Sequence, residues 1–72
     1  MLTDEFGKRL KYWRNKRGLS QKKIAVLADV DDSTIRFLEH GEHLPRLDTI
    51  KLLLDAINVS IVEFYSEEIK NG

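Results

Sequence analysis

The sequence predicts an all-α protein, and three observations support this. Apolar residues recur at steps of three and four along most of the chain, as they do on a helix that buries one face. Capping residues and residues that tolerate left-handed backbone divide this pattern into five short segments. The chain has 72 residues and no cysteine, so residues 1–72 are expected to form one domain in which packed helices suffice without disulfides or thiolate metal sites.

The first helix is predicted to run from Asp4 to Arg17. Thr3 is the expected cap, and the acidic first turn suits the positive end of the helix dipole. Gly18 is the expected left-handed stop after a basic last turn. The apolar stripe of this helix consists of Phe6, Leu10 and Trp13. Trp13 is therefore interpreted as a core residue.

The segment 20–41 is predicted to form two helices joined by a tight turn. Ser20 and Asp31 are the expected caps of these two helices, and Asp29 can take the left-handed conformation that such a turn needs. Helices joined so closely cross steeply, and Ala25 supplies the small side chain at their contact. The apolar residues expected to meet across the crossing are Ile24, Ala28, Ile35 and Leu38.

Two further helices complete the prediction. Helix four begins after Pro45 and ends at Asn58, a residue that tolerates left-handed backbone. Helix five opens with a capping box of Ser60 and Glu63 and is expected to reach Glu67, with residues 68–72 frayed. The stripe of helix four is Leu47, Ile50, Leu53, Leu54 and Ile57.

The chain resembles the lambda-repressor-like helix-turn-helix family, which includes Cro, phage repressors and the XRE regulators. The resemblance is carried by LKYWRNKR, then GLSQKKIAVLADVDDSTIRFLEHG, then LPRLDTIKLLLDAINVS. It implies a five-helix domain that binds operator DNA, usually as a two-fold dimer, with no catalytic activity. It therefore leads us to expect a cytoplasmic, bacterial or phage-encoded regulator of the repressor or controller type, with double-stranded DNA and a second copy of itself as partners and a palindromic operator.

The resemblance also implies which residues meet DNA. The outer face of the second helix of the motif enters the major groove in this class, and residues at the start of the first helix grip phosphate. Arg46 matches a position that contacts the backbone or the minor groove in relatives. The full set of expected DNA-binding residues is Ser20, Gln21, Lys22, Asp32, Ser33, Arg36, Phe37 and Arg46.

Two other groups of residues have expected structural roles. The resemblance implies that Arg14 and Glu39 form a partly buried ion pair, and the planar guanidinium suits a bidentate contact with a carboxylate. In helix five, Phe64 is tied to the core by its packing with Val59, which leaves apolar residues that cannot all face inward. The candidate dimer interface is Ile61, Val62, Tyr65 and Ile69.

Several features favour a different function. The net charge is zero, whereas DNA-binding proteins usually carry excess Lys and Arg. Residues 1–18, 19–41 and 42–72 carry net charges of +4, −1 and −3, so the basic first helix either lies along phosphates or is a solvated face. Five positions that are usually polar in the family are apolar here, namely Val26, Leu27, Phe37, Leu52 and Val62. They either widen the core or form a partner surface, and the alternative function is a protein-binding module such as an antitoxin, anti-repressor or assembly factor.

Other classes of protein are disfavoured by the sequence. His40 and His43, with Glu42 between them, offer too few ligands for a zinc motif, and Gly41 interrupts the helix that would hold them. We expect no metal and no cofactor. No nucleophile has a plausible base and no phosphate loop is present, so an enzyme is not expected. No apolar run is long enough for a membrane span.

Overall fold

The computed structural model describes residues 2–66 and 69, with side chains from Glu5 onward. Within these residues the chain forms five helices and no strand, which confirms the all-α prediction. The helices are α1 (Leu2–Lys16), α2 (Gln21–Ala28), α3 (Asp32–Glu39), α4 (Leu47–Ile57) and α5 (Ile61–Ser66). Helix α3 packs on both α1 and α2, α2 also packs on α4, and α5 packs on α1.

One hydrophobic core joins all five helices. Helices α2 and α3 meet through the residues expected from their spacing, with Ala25 buried on the first helix of the motif. Trp13 is buried, as predicted, and its indole Nε1 donates to the Phe64 carbonyl oxygen at 3.4 Å. The fully buried large side chains are Phe6, Leu10, Ile24, Ile35, Leu38, Leu53, Ile57 and Phe64. A core formed from every helix fixes the orientation of α3.

The predicted helix stops are confirmed where the backbone turns left-handed. Asp29 follows α2 with φ 58° and Asn58 follows α4 with φ 56°. At the end of α2 the Asp29 and Val30 amides donate to the Val26 and Ala25 carbonyl oxygens, so carbonyls that the helix leaves unpaired are satisfied by the turn. Asp29 therefore closes the helix-turn-helix turn in the role that glycine often takes.

The helix starts agree with the prediction at two caps. The Lys23 amide donates to Ser20 Oγ at 3.0 Å, which caps α2. At α5 the Glu63 amide donates to Ser60 Oγ at 3.1 Å and the Ser60 amide donates to Glu63 Oε1 at 3.3 Å. This reciprocal pair is a complete capping box.

One predicted cap is confirmed only in position, and another is wrong. Asp31 is the N-cap residue of α3, but its carboxylate makes no capping hydrogen bond. The Thr34 amide donates to the Asp31 carbonyl oxygen. Helix α1 begins at Leu2, so Thr3 lies inside its first turn and cannot cap it. Residues 2–4 include no glycine or proline, so the helix extends through them. It also ends one residue early, at Lys16.

Leu47 is not part of the core, contrary to the predicted stripe of helix four. Its side chain is 85% exposed, because the first residue of α4 lies beyond the edge of the core. The predicted extension of helix five to Glu67 and the predicted fraying of residues 68–72 lie outside the described residues, apart from Ile69, which is half-buried.

Helices α1 and α3 approach closely at Gly7. A Cβ atom at this position would clash with the Leu38 carbonyl oxygen and would lie 3.1 Å from the Glu39 carbonyl oxygen. Glycine inside a helix is destabilising by roughly 0.5–1 kcal/mol relative to alanine, so its presence here reflects the space that the crossing requires. Gly7 thus lets the backbone at the end of α3 lie directly against α1.

Candidate nucleic-acid interface

A buried ion pair fixes the end of α3 to the rest of the fold. Arg14 of α1 donates from Nε to Glu39 Oε2 at 2.7 Å and from Nη2 to Glu39 Oε1 at 3.0 Å. The two side chains are only 10% and 5% exposed. Arg14 Nη1 also donates to the Leu19 carbonyl oxygen at 2.8 Å, just before α2. This bidentate geometry restrains both distance and orientation, so α3 is held in one position relative to α1.

Gln21 joins the same cluster from the first position of α2. Its Nε2 donates to Glu39 Oε1 at 3.1 Å, a structural partner that the sequence did not reveal. The side-chain amide carries a second donor and an acceptor oxygen, so this bond leaves it able to contact a phosphate as well. The contact places the start of α2 beside the end of α3.

The outward face of α3 carries the residues that were expected to read bases. Asp32, Arg36 and Phe37 are exposed and Ser33 is half-buried, while Ile35 and Leu38 lie in the core beneath them. The ring of Phe37 lies 6.3 Å from that of His43, measured between centroids, in the loop before α4. A short helix with a fixed, polar and aromatic outer face can be inserted into a groove without disturbing the core.

The expected phosphate-binding residues lie at the start of α2 and on the loop before α4. Ser20 and Lys22 are exposed at the start of α2, although the Ser20 hydroxyl is already used as the cap. Arg46 is exposed at the residue before α4, and its Nε lies 3.7 Å from Asp48 Oδ1. The structure therefore places Ser20, Gln21 and Lys22 together, and places Arg46 on the loop that follows α3.

Arginines in α1 and just after it bond to other parts of the fold, a role that neither prediction for the basic first helix included. Arg9 Nη1 donates to the Phe64 carbonyl oxygen at 2.9 Å, and Arg17 Nε donates to the Ile57 carbonyl oxygen at 2.8 Å. These carbonyls lie in the last turns of α5 and α4, where helices leave acceptors unpaired and favour positive charge. Only the packing of distant helices brings them to α1, so no local pattern could have indicated these bonds.

The surface of α5 is apolar where a dimer interface was expected. Ile61, Val62 and Tyr65 are exposed, whereas Phe64 is fully buried. Burial raises the pKa of the Tyr65 hydroxyl, Glu5 raises it further, and Arg9 opposes them, so Tyr65 is uncharged at neutral pH. Ile61 also borders an open groove between α4 and α5 that is lined by Leu47, Ile50, Leu54 and Val59.

The five unusual apolar residues do not widen the core. Val26, Leu27, Phe37, Leu52 and Val62 are all exposed, so of the two interpretations of these residues the core interpretation is wrong. They lie on four different helices, α2, α3, α4 and α5. The other interpretation, a partner surface, stays a prediction.

The described residues meet the requirements of neither a metal site nor a membrane-spanning helix. They contain no group of three or more His, Cys, Asp and Glu side chains arranged to hold a metal ion. Among them, no helix has both the length and the apolar character that crossing a bilayer requires.

The fold and the site together define a helix-turn-helix protein: two short helices crossing at Ala25, the second with an exposed face, within five packed helices. The family model described as helix-turn-helix matches residues 10–64. The chain therefore belongs to the helix-turn-helix family, a family of DNA-binding transcriptional regulators, as the lambda-repressor-like resemblance implied.

The chain is similar to curated transcriptional regulators over part of their length. The chain is 38% identical over 61 residues to the HTH-type transcriptional regulator PuuR of Escherichia coli K12, which is 85% of this chain and 33% of PuuR. PuuR of Shigella flexneri matches equally. The chain thus spans about a third of the length of these curated relatives.

Solved structures share the fold closely. The restriction-modification controller protein C.AhdI from Aeromonas hydrophila has a TM-score of 0.83 and 32% identity, over 88% of this chain and 96% of that protein. A transcriptional regulator of the helix-turn-helix family from Vibrio cholerae has a TM-score of 0.83 and 26% identity, over 89% of this chain and 36% of that one. The similarity therefore covers nearly the whole of one small controller protein and only part of a larger regulator.

Proposed function

We propose that this protein is a sequence-specific transcriptional regulator of the repressor or controller type that binds a palindromic operator as a two-fold dimer. The observation that carries the proposal is the exposed face of α3, held in place by the Arg14–Glu39 pair with the start of α2 beside it. The match over 96% of C.AhdI, a controller protein, supports the controller role.

The proposed contacts divide into two groups. Ser33, Arg36 and Phe37, with Asp32, contact base edges in the major groove, where arginine suits guanine and an apolar ring suits the thymine methyl. The second group positions the protein on the duplex through phosphate or minor-groove contacts. It consists of Ser20, Gln21, Lys22 and Arg46.

The dimer follows from the small size of one recognition helix. One α3 spans only a few base pairs, and a two-fold partner doubles the site by placing a second α3 about 34 Å away, one turn of DNA. The exposed side chains of Ile61, Val62 and Tyr65 support an interface at α5, with Ile69 beside them in sequence. The patch is small compared with the roughly 800 Å² per partner of stable interfaces, so the dimer forms fully on DNA.

Sedimentation tests this dimer. Tyr65→Asp introduces a charge at the proposed interface, and Asn15→Asp, which introduces the same charge at an exposed residue of α1, is its control. With operator DNA, the wild type and the control are expected to sediment as two protomers per palindrome and Tyr65→Asp as one. One wild-type protomer per palindrome at saturation, or an unaffected Tyr65→Asp variant, would contradict the proposal.

A salt series tests DNA binding itself. Neutralised phosphates release counterions, so the logarithm of affinity falls linearly with the logarithm of salt concentration, by about 0.9 per phosphate contacted. We expect such a line for duplex DNA, with a smaller slope for Arg46→Ala. Undetectable binding to any duplex at low salt would refute DNA binding.

The second candidate function is a protein-binding helix-turn-helix module, and Phe37 favours it. This ring is exposed on the recognition face of a chain with zero net charge. An antitoxin, anti-repressor or assembly factor would bury Phe37 against a protein partner. Undetectable binding to any duplex at low salt would support this candidate.

A further inference from the structure

Asp32 and Arg36 form a charged pair on the exposed face of α3. They lie one helical turn apart, with Arg36 Nη1 3.7 Å from Asp32 Oδ2, and their side chains are 51% and 54% exposed. The other charged residue of α3, Glu39, is buried with Arg14. The recognition face therefore offers DNA one guanidinium and one carboxylate, already side by side.

The edge of a G·C base pair has the complementary pattern. In the major groove guanine presents two acceptors, N7 and O6, and the cytosine paired with it presents the N4 amino donor next to O6. A guanidinium can donate to N7 and O6 while a neighbouring carboxylate accepts from N4. Both side chains must lie close together to do this, as Asp32 and Arg36 do.

We propose that Asp32 and Arg36 act as one unit that reads a single G·C base pair in each half-site. This inference rests on the proposed function. Arg36 contacts the guanine, and Asp32 contacts the cytosine of the same pair. The unit recognises both bases of one pair, which extends the separate roles expected for the two residues.

Both members of the unit make it selective. Opposite an A·T pair, Asp32 would face thymine O4, and two acceptors repel each other. Opposite a T·A pair, the thymine methyl group would replace guanine N7, so Arg36 would lose one of its two acceptors. A reversed C·G pair would place the amino donor under the guanidinium. Asp32 also carries a charge that phosphates repel, so its contribution to affinity depends on the cytosine amino group.

The chain contains a matched control for this pair. Asp48 also lies in the first turn of a helix, α4, and is also exposed 3.7 Å from an arginine, Arg46. It does not lie on the recognition face. Asp32→Ala and Asp48→Ala therefore remove the same charge from similar surroundings, so general effects of charge on DNA affinity are expected in both variants.

Selection from a random duplex library gives the first test. The wild type and Asp48→Ala are expected to select the same operator, with one invariant G·C pair in each half-site. Arg36→Ala and Asp32→Ala are expected to lose the preference at that same position by about tenfold or more, given the usual discrimination of a good base contact. The proposal would be overturned if Arg36→Ala and Asp32→Ala lost base preference at two different positions, or if Asp32→Ala kept the wild-type preference.

Modified bases test the two contacts separately on the selected operator. Replacing the cytosine by 2-pyrimidinone removes the amino group, and replacing the guanine by 7-deazaguanine removes N7. We expect both changes to weaken the wild type and Asp48→Ala, whereas Asp32→Ala responds only to 7-deazaguanine. Equal weakening of Asp32→Ala by 2-pyrimidinone would show that the amino group is not read by Asp32, and would overturn the proposal.

These outcomes separate the inference from the proposed function. If the wild type enriches no sequence, both fail. If the wild type selects an operator but Asp32→Ala selects the same one, only the paired readout fails and sequence-specific binding stands.

Discussion

Helices α1 and α3 use their charges in opposite ways. Helix α1 is the most basic helix, yet its Arg9 and Arg14, like Arg17 just after it, donate to carbonyl or carboxylate oxygens of other parts of the fold. Helix α3 is nearly balanced in charge, yet Asp32 and Arg36 lie in solvent on its outer face. The comparison shows that a charge count along the sequence does not reveal which charged side chains the fold uses internally and which it leaves in solvent. What matters is which charges the fold leaves available.

The largest expected effect concerns the link between the two helices. Removing one partner of a buried ion pair leaves an uncompensated charge and costs about 3–5 kcal/mol. Arg14→Ala and Glu39→Ala are each expected to lower the free energy of unfolding by about this amount, and the double variant by much less than their sum. Denaturant unfolding of the four proteins measures the coupling.

An exposed pair provides the control for that cycle. Lys51 and Asp55 are one turn apart on α4, 3.4 Å between Nζ and Oδ2, and exposed, so their coupling should be only about 0.2–0.5 kcal/mol. If the losses in free energy of unfolding caused by Arg14→Ala and Glu39→Ala simply add in the double variant, the buried pair does not hold α3 in solution.

The next effect concerns the close approach at Gly7. Gly7→Ala adds a methyl group against the Leu38 carbonyl oxygen, and such overpacking typically costs about 1–3 kcal/mol. We expect a lower free energy of unfolding despite the better helix propensity of alanine. Lys8→Ala, at an exposed neighbour, should change stability little. A Gly7→Ala variant more stable than wild type would show that α1 and α3 are farther apart.

The smallest effect tests the role of Arg17, the residue after α1. Arg17→Met removes the hydrogen bond to the Ile57 carbonyl oxygen and should cost about 1 kcal/mol of stability. Lys11→Met, at an exposed residue of α1, should cost almost none. Both variants should keep the base preference of the wild type. An Arg17→Met variant with unchanged stability and altered base preference would assign this residue to DNA instead.

Features set by neighbouring residues could be predicted from the sequence. The Ser60–Glu63 capping box, the left-handed stops at Asp29 and Asn58, and the small residue Ala25 at the helix crossing all depend on local spacing and backbone preference. The core stripes followed from helical periodicity in the same way, and together these features were sufficient for the five-helix fold.

Features set by distant contacts could not be predicted in the same way. The bonds of Arg9 and Arg17 to helix ends depend on how α1 packs against α5 and α4. The contact of Gln21 with Glu39 depends on the crossing of α2 and α3. Leu47 has the right spacing for the core but lies past its edge. Of the contacts between distant residues, only the close approach of α1 and α3 at Gly7 is indicated by the sequence, since a glycine within an apolar helical pattern often marks a close packing contact.

The most direct test of the account compares affinities for the selected operator and for a random duplex. Base contacts specify and phosphate contacts position, so Arg36→Ala and Phe37→Ala are expected to lower the ratio of the two affinities and change the preferred sequence. Gln21→Ala, in contrast, is expected to weaken both DNAs alike and leave the ratio unchanged. Equal loss on both DNAs for all three variants would contradict the claim that the exposed face of α3 reads the operator.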